Sequence, residues 1–215
     1  MKTQGKKYLI AAFLLVAFVL WTVAVCWVDV KPIGPQGSSV GFAALNGYVH
    51  DLTGTNMLLY TLTDWLGLIP LAIVMGFGLM GLFQWIRRKH LLKVDHSILA
   101  LGVFYVLVMA AFLLFEKLDI NYRPVLIEGV LEASYPSSTT MLAMCVMPTA
   151  MMQCARRIQK PGIRGLVCGL MGAFLVFMVV GRLLSGVHWL TDIIGGALLS
   201  GGLVMAYYAG IQKVK

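Results

Sequence analysis

Six apolar runs, each close to the length that crosses a bilayer, constrain this chain more than any other feature. They lie at about 8–27, 66–86, 98–115, 139–155, 165–181 and 190–211 of 215 residues. A lipid hydrocarbon core takes roughly 20 helical residues to cross. A soluble protein with a very large core would need no such run lengths, and its composition would differ. Here 60% of residues are hydrophobic and 12% charged, whereas soluble domains sit near half and about a quarter. The expected fold is all-α: an integral membrane six-helix bundle, one membrane domain over residues 1–215 with no soluble domain. Single polar residues and glycines inside the second and fourth runs are tolerated in membrane helices.

The net charge of +8 suggests nucleic acid only until its distribution is considered. With the N-terminus placed in the cytoplasm and the chain alternating sides, every basic residue except Lys31, Lys117, Arg123 and Arg182 falls inside. Only one acid, Asp95, joins them there. This is a positive-inside pattern, and the basic charge sets orientation and touches anionic lipid. The expectation is a multi-pass plasma-membrane protein with both termini cytoplasmic, no nucleic-acid partner, and the bilayer itself as a partner. The first run is longer than a signal-peptide core and reads as an uncleaved anchor. The sequence is silent on oligomeric state.

Cys26, Cys145, Cys154 and Cys168 all lie in apolar runs, without the paired spacing of a metal site or disulfide framework. They read as buried packing thiols. Val40–Leu52 is mildly amphipathic and suits the outer membrane surface. Glycines 165, 169 and 172, with 195, 196, 201 and 202, suggest close contact in the last two helices. Trp65, Trp85, Trp189 and Tyr122 fit an interfacial aromatic belt.

Three outer segments carry polar residues that packing does not explain. They are Lys117-Leu-Asp-Ile-Asn-Tyr-Arg123-Pro124, Tyr135-Pro136-Ser137-Ser138-Thr139-Thr140 and Gly181-Arg182 through His188 to Asp192. His188 and Asp192 are four apart, one turn if that stretch is helical. A carboxylate at one imidazole nitrogen raises the nucleophilicity of the other. Arg182 is a planar cation suited to phosphate. Pro136 followed by hydroxyl residues marks a helix start, whose free N–H groups favour an anion. Lys117, Arg123 and Arg182, with Ser137, Ser138 and Thr139, would surround one phosphate beside a nucleophile. Each has a plainer reading. Lys117 could be a snorkelling anchor, the hydroxyls caps, Asp192 a cap at the last helix's start, and Glu128, Glu132 and His50 solvated surface groups.

In order and spacing these segments resemble the signature of the type 2 phosphatidic acid phosphatases, membrane relatives of the vanadium haloperoxidases. That signature reads Lys-x6-Arg-Pro, then Pro-Ser-Gly-His, then Ser-Arg-x5-His-x3-Asp. Arg182, His188 and Asp192 match the third element, with Gly181 at the usual Ser. Arg123-Pro124 match the first, but five residues separate Lys117 from Arg123. Pro136-Ser137 match the second, and then Ser138-Thr139 stand at the usual Gly-His. The resemblance implies a lipid-phosphate phosphatase without metal or cofactor. His188 would form a phosphohistidine, Asp192 would orient it, and Arg182, Arg123 and Lys117 would bind the phosphoryl oxygens.

The family's second histidine protonates the leaving oxygen; here Thr139 stands instead. A diphosphate lipid would relieve that need, because its leaving group is a phosphate with a second pKa of about 6. Alternatively His50, Glu132 or Glu128 supplies the proton. The expected substrate is a lipid phosphate or diphosphate, foremost a polyprenyl diphosphate, met at the extracytoplasmic face. A lipid phosphotransferase and a catalytically weak lipid-phosphate binding or transport protein are the alternatives.

Overall fold

The computed structural model describes residues 2–212; Lys213 and Lys215, expected on the inside, lie outside the described residues. Eight α-helices follow one another, with no strand among the described residues: α1 Lys2–Trp27, α2 Ala43–Thr53, α3 Met57–Leu66, α4 Leu68–Arg88, α5 His96–Glu116, α6 Ser138–Arg157, α7 Pro161–Leu184 and α8 Leu190–Ile211. Five stretches are long and apolar enough to cross a membrane: α1, the pair α3–α4, α5, α7 and α8. Their outward faces carry large apolar side chains such as Leu9, Phe13, Met75, Val106 and Leu166. This is a multi-pass membrane protein.

The fourth apolar run forms a 20-residue helix, α6, that is not among the five. Its position explains its composition. It packs against α7, α8, α4 and α5, and Thr140, Thr149 and Gln153 are wholly buried. A helix sheathed by other helices does not have to match the lipid. Its polar groups are bonded inside: Thr149 Oγ1 donates to the Cys145 carbonyl (2.7 Å) and Gln153 Nε2 to the Ser97 carbonyl (3.2 Å).

α8 is the most buried of the apolar spans. It lies along α1 and α6, and its glycines make that possible. A Cβ on Gly202 would stand 2.7 Å from a Leu15 methyl, and one on Gly195 2.7 Å from the Tyr135 ring. The glycines of α7 behave differently. Gly165 and Gly169 face open space and Gly172 touches only Met151 at 3.9 Å. The expected close contact in the last two helices therefore belongs to α8, while α7 rests on α6 and α3. Cys145 is buried and Cys154 and Cys168 are partly so, but Cys26 is exposed, so it is not a packing thiol.

The second membrane segment starts at Met57, nine residues earlier than its apolar run indicates. Asn56 caps α3 by accepting from Leu59 N at 3.0 Å. α3 runs through Thr61, Thr63 and Asp64 before joining α4 at Gly67. The helix end thus brings a polar face to the end of the bundle where α6 and α8 begin and α7 ends.

α2 is tied to the start of α8 by one buried side chain. Asn46 Nδ2 donates to the Gly41 carbonyl (2.7 Å) and to Thr191 Oγ1 (2.9 Å), and its Oδ1 accepts from Thr191 N (3.2 Å). The α7–α8 turn is pinned on its other side. Gly186 has φ +65°, and a Cβ there would lie 1.8 Å from the Gly54 carbonyl oxygen. Backbone on backbone cannot yield cheaply. Gly186→Ala should destabilise the protein by at least about 1–3 kcal/mol, read as a lower Tm in detergent, and displace the loop that carries His188. An unchanged Tm would show that the Gly54 contact is not made.

Candidate active site

The three polar segments meet at one end of the bundle. Each is carried there by a helix terminus. Arg123 follows α5 in a loop held by short antiparallel pairing of Tyr122 with Ala133, where Arg123 N donates to the Glu132 carbonyl at 3.0 Å. Ser137 caps α6, its wholly buried hydroxyl accepting from Thr140 N at 3.5 Å. Arg182 sits in the last turn of α7, and Asp192 is the third residue of α8.

His188 is the meeting point. Its Nε2 lies 3.4 Å from Arg123 Nη1 and 3.4 Å from Arg182 Nη2. On the far side of the ring, Nδ1 faces Asp192 Oδ2 at 3.5 Å. Asp192 is fully buried and fixed from behind, since its Oδ2 accepts from Trp189 N at 3.0 Å. The same carboxylate therefore closes the helix start and faces the imidazole. The Nδ1–Oδ2 separation is long for a hydrogen bond.

Arg182 is 1% exposed and held on three sides. Nη1 approaches Thr63 Oγ1 (3.4 Å) and Asp64 Oδ1 (3.8 Å), and the guanidinium lies over the Tyr60 ring at 4.9 Å. Its Nε is buried with no hydrogen-bond partner. Gly181 makes this packing possible: a Cβ there would stand 2.9 Å from the Thr63 methyl. Arg123 pairs through Nε with Glu132 Oε2 at 2.9 Å. Each arginine therefore carries a carboxylate on its outer side and the histidine on its inner side.

A cavity of about 430 Å³ opens on this centre, lined by His188, Arg123, Glu132, Ser134, Tyr135 and Ser138 among others. A second, mainly apolar cavity of about 360 Å³ runs between α4, α5 and α6. Asp64, Ser138 and Thr139 stand in its wall. The two share Phe112, Ser138 and Met141.

Lys117 is not brought in. It is exposed at the end of α5 and does not line the His188 cavity, although its neighbour Glu116 does. Glu128 is exposed, at a positive φ of 50°. His50 is half-buried and packs edge-on to Trp189 at 5.5 Å. Trp189 is not a belt residue. It is 3% exposed and its Nε1 donates to the Tyr122 carbonyl at 2.7 Å, which locks the His188 loop to the Arg123 loop. Tyr60, Thr63, Asp64 and Asn46 are not among the residues the sequence marks for the site, and it marks Trp189 only for the belt. The only signal for the first three was polarity at every third or fourth position before an apolar run.

His188 is held well below the ordinary imidazole pKa. Burial is the main cause, and the charges of Arg123 and Arg182 add to it; the Ser134 backbone opposes them. The imidazole is therefore neutral in the folded protein, the form with a lone pair to donate. Below about pH 6.5 the unfolded chain takes up a proton here that the folded chain refuses. The neutral histidine's contribution to stability is thus present above that pH and lost as pH falls beneath it. Imidazole NMR of the ligand-free protein should show His188 still neutral at pH 6; a midpoint at or above 6.5 would contradict this.

Residues 113–215, which hold all three segments, match the model of the PAP2 superfamily. Among curated proteins no match was found. The structure is similar to the crystal structure of the first transmembrane PAP2 type phosphatidylglycerolphosphate phosphatase from Bacillus subtilis. The identity is 18% and the TM-score 0.57, with 96% of this chain and 98% of that chain covered. At that identity the likeness is one of fold. The part of the chain that builds the His188 centre is thus the part that matches the PAP2 superfamily model.

Proposed function

We propose that this protein is a membrane phosphatase that removes the terminal phosphate of a lipid diphosphate through a phosphohistidine on His188. One observation carries the reading: two guanidinium groups converge on the same neutral imidazole nitrogen, each at 3.4 Å. Two cations beside Nε2 would hold the oxygens of a phosphoryl group in front of it.

In the first step His188 Nε2 donates its lone pair to the terminal phosphorus, and the bond to the bridging oxygen breaks. Arg182 and Arg123 take up the charge on the equatorial oxygens. Asp192 stabilises the ring through Nδ1 as positive charge develops. The lipid leaves as its monophosphate, a group that needs little protonation at neutral pH. This suits a chain with Thr139 at the usual histidine. Water then breaks the phosphorus–nitrogen bond and inorganic phosphate departs. The apolar cavity beside the site would take the first isoprenoid units while the rest of the tail stays in lipid. Six membrane crossings, cytoplasmic termini and an extracytoplasmic site complete the reading, supported by the basic charge at the other end of the bundle.

The test is phosphate release by the purified protein in detergent with EDTA. Polyprenyl diphosphate is compared with phosphatidic acid and phosphatidylglycerophosphate. Release from the diphosphate at least about tenfold faster than from the monoesters supports the assignment. Equal or faster release from the monoesters would show that an acid is present and the leaving-group argument is wrong. Lipid binding without release would favour a binding protein.

A further inference from the structure

The second half of the reaction needs a base. Water attacking a phosphohistidine must lose a proton on the face of phosphorus away from His188, and Thr139 cannot accept it. We infer that Asp64 is that base. The inference rests on the phosphohistidine reading and names a residue of α3, outside residues 113–215.

Three observations place Asp64. It stands in the wall of the same cavity as Ser138 and Thr139. It is reached from His188 across a single side chain: Arg182 presents Nη2 to His188 Nε2 at 3.4 Å and Nη1 to Asp64 Oδ1 at 3.8 Å. Its side chain is 59% exposed, so the carboxylate is not sealed in by other side chains. A phosphoryl oxygen bound by Arg182 would put phosphorus between the two. His188 would lie on one side, and a water held by Asp64 on the other.

Glu132 is the competing carboxylate. It lines the His188 cavity, but its Oε2 is tied to Arg123 Nε at 2.9 Å. Asp64 is held more loosely, and its cavity is the one that holds Thr139. Asp64 would accept the proton of the attacking water, while the leaving group departs without an acid.

The step balances. The water oxygen bonds to phosphorus as the phosphorus–nitrogen bond breaks. The electron pair of that bond returns to Nε2, and the water proton passes to Asp64 and on to solvent.

Asp64→Asn keeps the shape and removes the base. With terminally labelled polyprenyl diphosphate it should give a burst of one lipid monophosphate per enzyme. Turnover should then be slowed about 10²–10⁴-fold, with the label retained on His188. Adding Thr139→His to Asp64→Asn should restore turnover, and formate should partly rescue Asp64→Ala. Neither recovery is expected if Asp64 only supports the fold.

Wild-type turnover in Asp64→Asn would overturn the assignment. So would loss of turnover without retained label, because Asp64 would then act before the phosphoenzyme. Label trapped by Glu132→Gln in place of Asp64→Asn would move the role to Glu132. Absence of any His188-dependent release in the wild type would fail the phosphatase reading itself, a result separate from these.

Discussion

His188→Ala should lose phosphate release by at least about 10³-fold while the protein still folds and binds lipid phosphate. The size follows from the position. A covalent intermediate cannot form without the nucleophile, and what remains is catalysis by orientation and charge alone. Retention of binding follows because Arg123 and Arg182 keep their outer partners, Glu132 on one and Thr63 with Asp64 on the other. Removing the ring also opens space between two cations. Free inorganic phosphate should therefore bind the variant at least as tightly as the wild type, measured by calorimetry in detergent. Loss of release together with loss of binding would mean that His188 holds the site together and does not act in it.

The second large effect is expected at Arg182. Arg182→Lys preserves the charge, yet it should lower kcat/KM by about 10²–10³-fold, or roughly 3–4 kcal/mol of transition-state stabilisation. A guanidinium reaches Thr63, Asp64 and His188 at once from one rigid plane and lies over Tyr60. An ammonium reaches one of these at a time. The side chain is 1% exposed, so no water replaces the lost donors. Lys117→Ala, by contrast, removes an exposed residue that does not line the His188 cavity. A drop at Lys117 as large as at Arg182 would show that the loop after α5 closes over the substrate.

The residues that could be read in the sequence share a property: their chemistry is out of place in an apolar chain. Arg182, His188 and Asp192 stood out because a membrane protein has little reason to place three polar groups beside one helix start. The structure sets Arg182 and Asp192 within 3.5 Å of the His188 imidazole. The long helices follow from run length in the same way, and α8 occupies Leu190–Ile211, the extent of its apolar run.

What hid from the sequence was polar character with a tertiary cause. α3 begins with a capped, half-polar turn and buries Thr63 against Gly181. Hydropathy treats such a turn as loop, so Tyr60, Thr63 and Asp64 escaped notice. Trp189 looks like any interfacial tryptophan until Tyr122 supplies its acceptor. Gly165 and Gly195 are the same residue in similar helices, but only Gly195 has a ring against it. Lys117 carries the charge its motif asks for, but it ends α5 on the outside of the cavity.

The central claim is that His188 Nε2 becomes bonded to phosphorus. The most direct measurement is rapid quench of the protein with terminally labelled polyprenyl diphosphate, followed by peptide mapping under alkaline conditions that preserve phosphohistidine. The account predicts label on the peptide containing His188, formed within one turnover and chased by unlabelled substrate. Phosphate released at full rate with no label on that peptide would show direct attack by water, and His188 would not be the nucleophile.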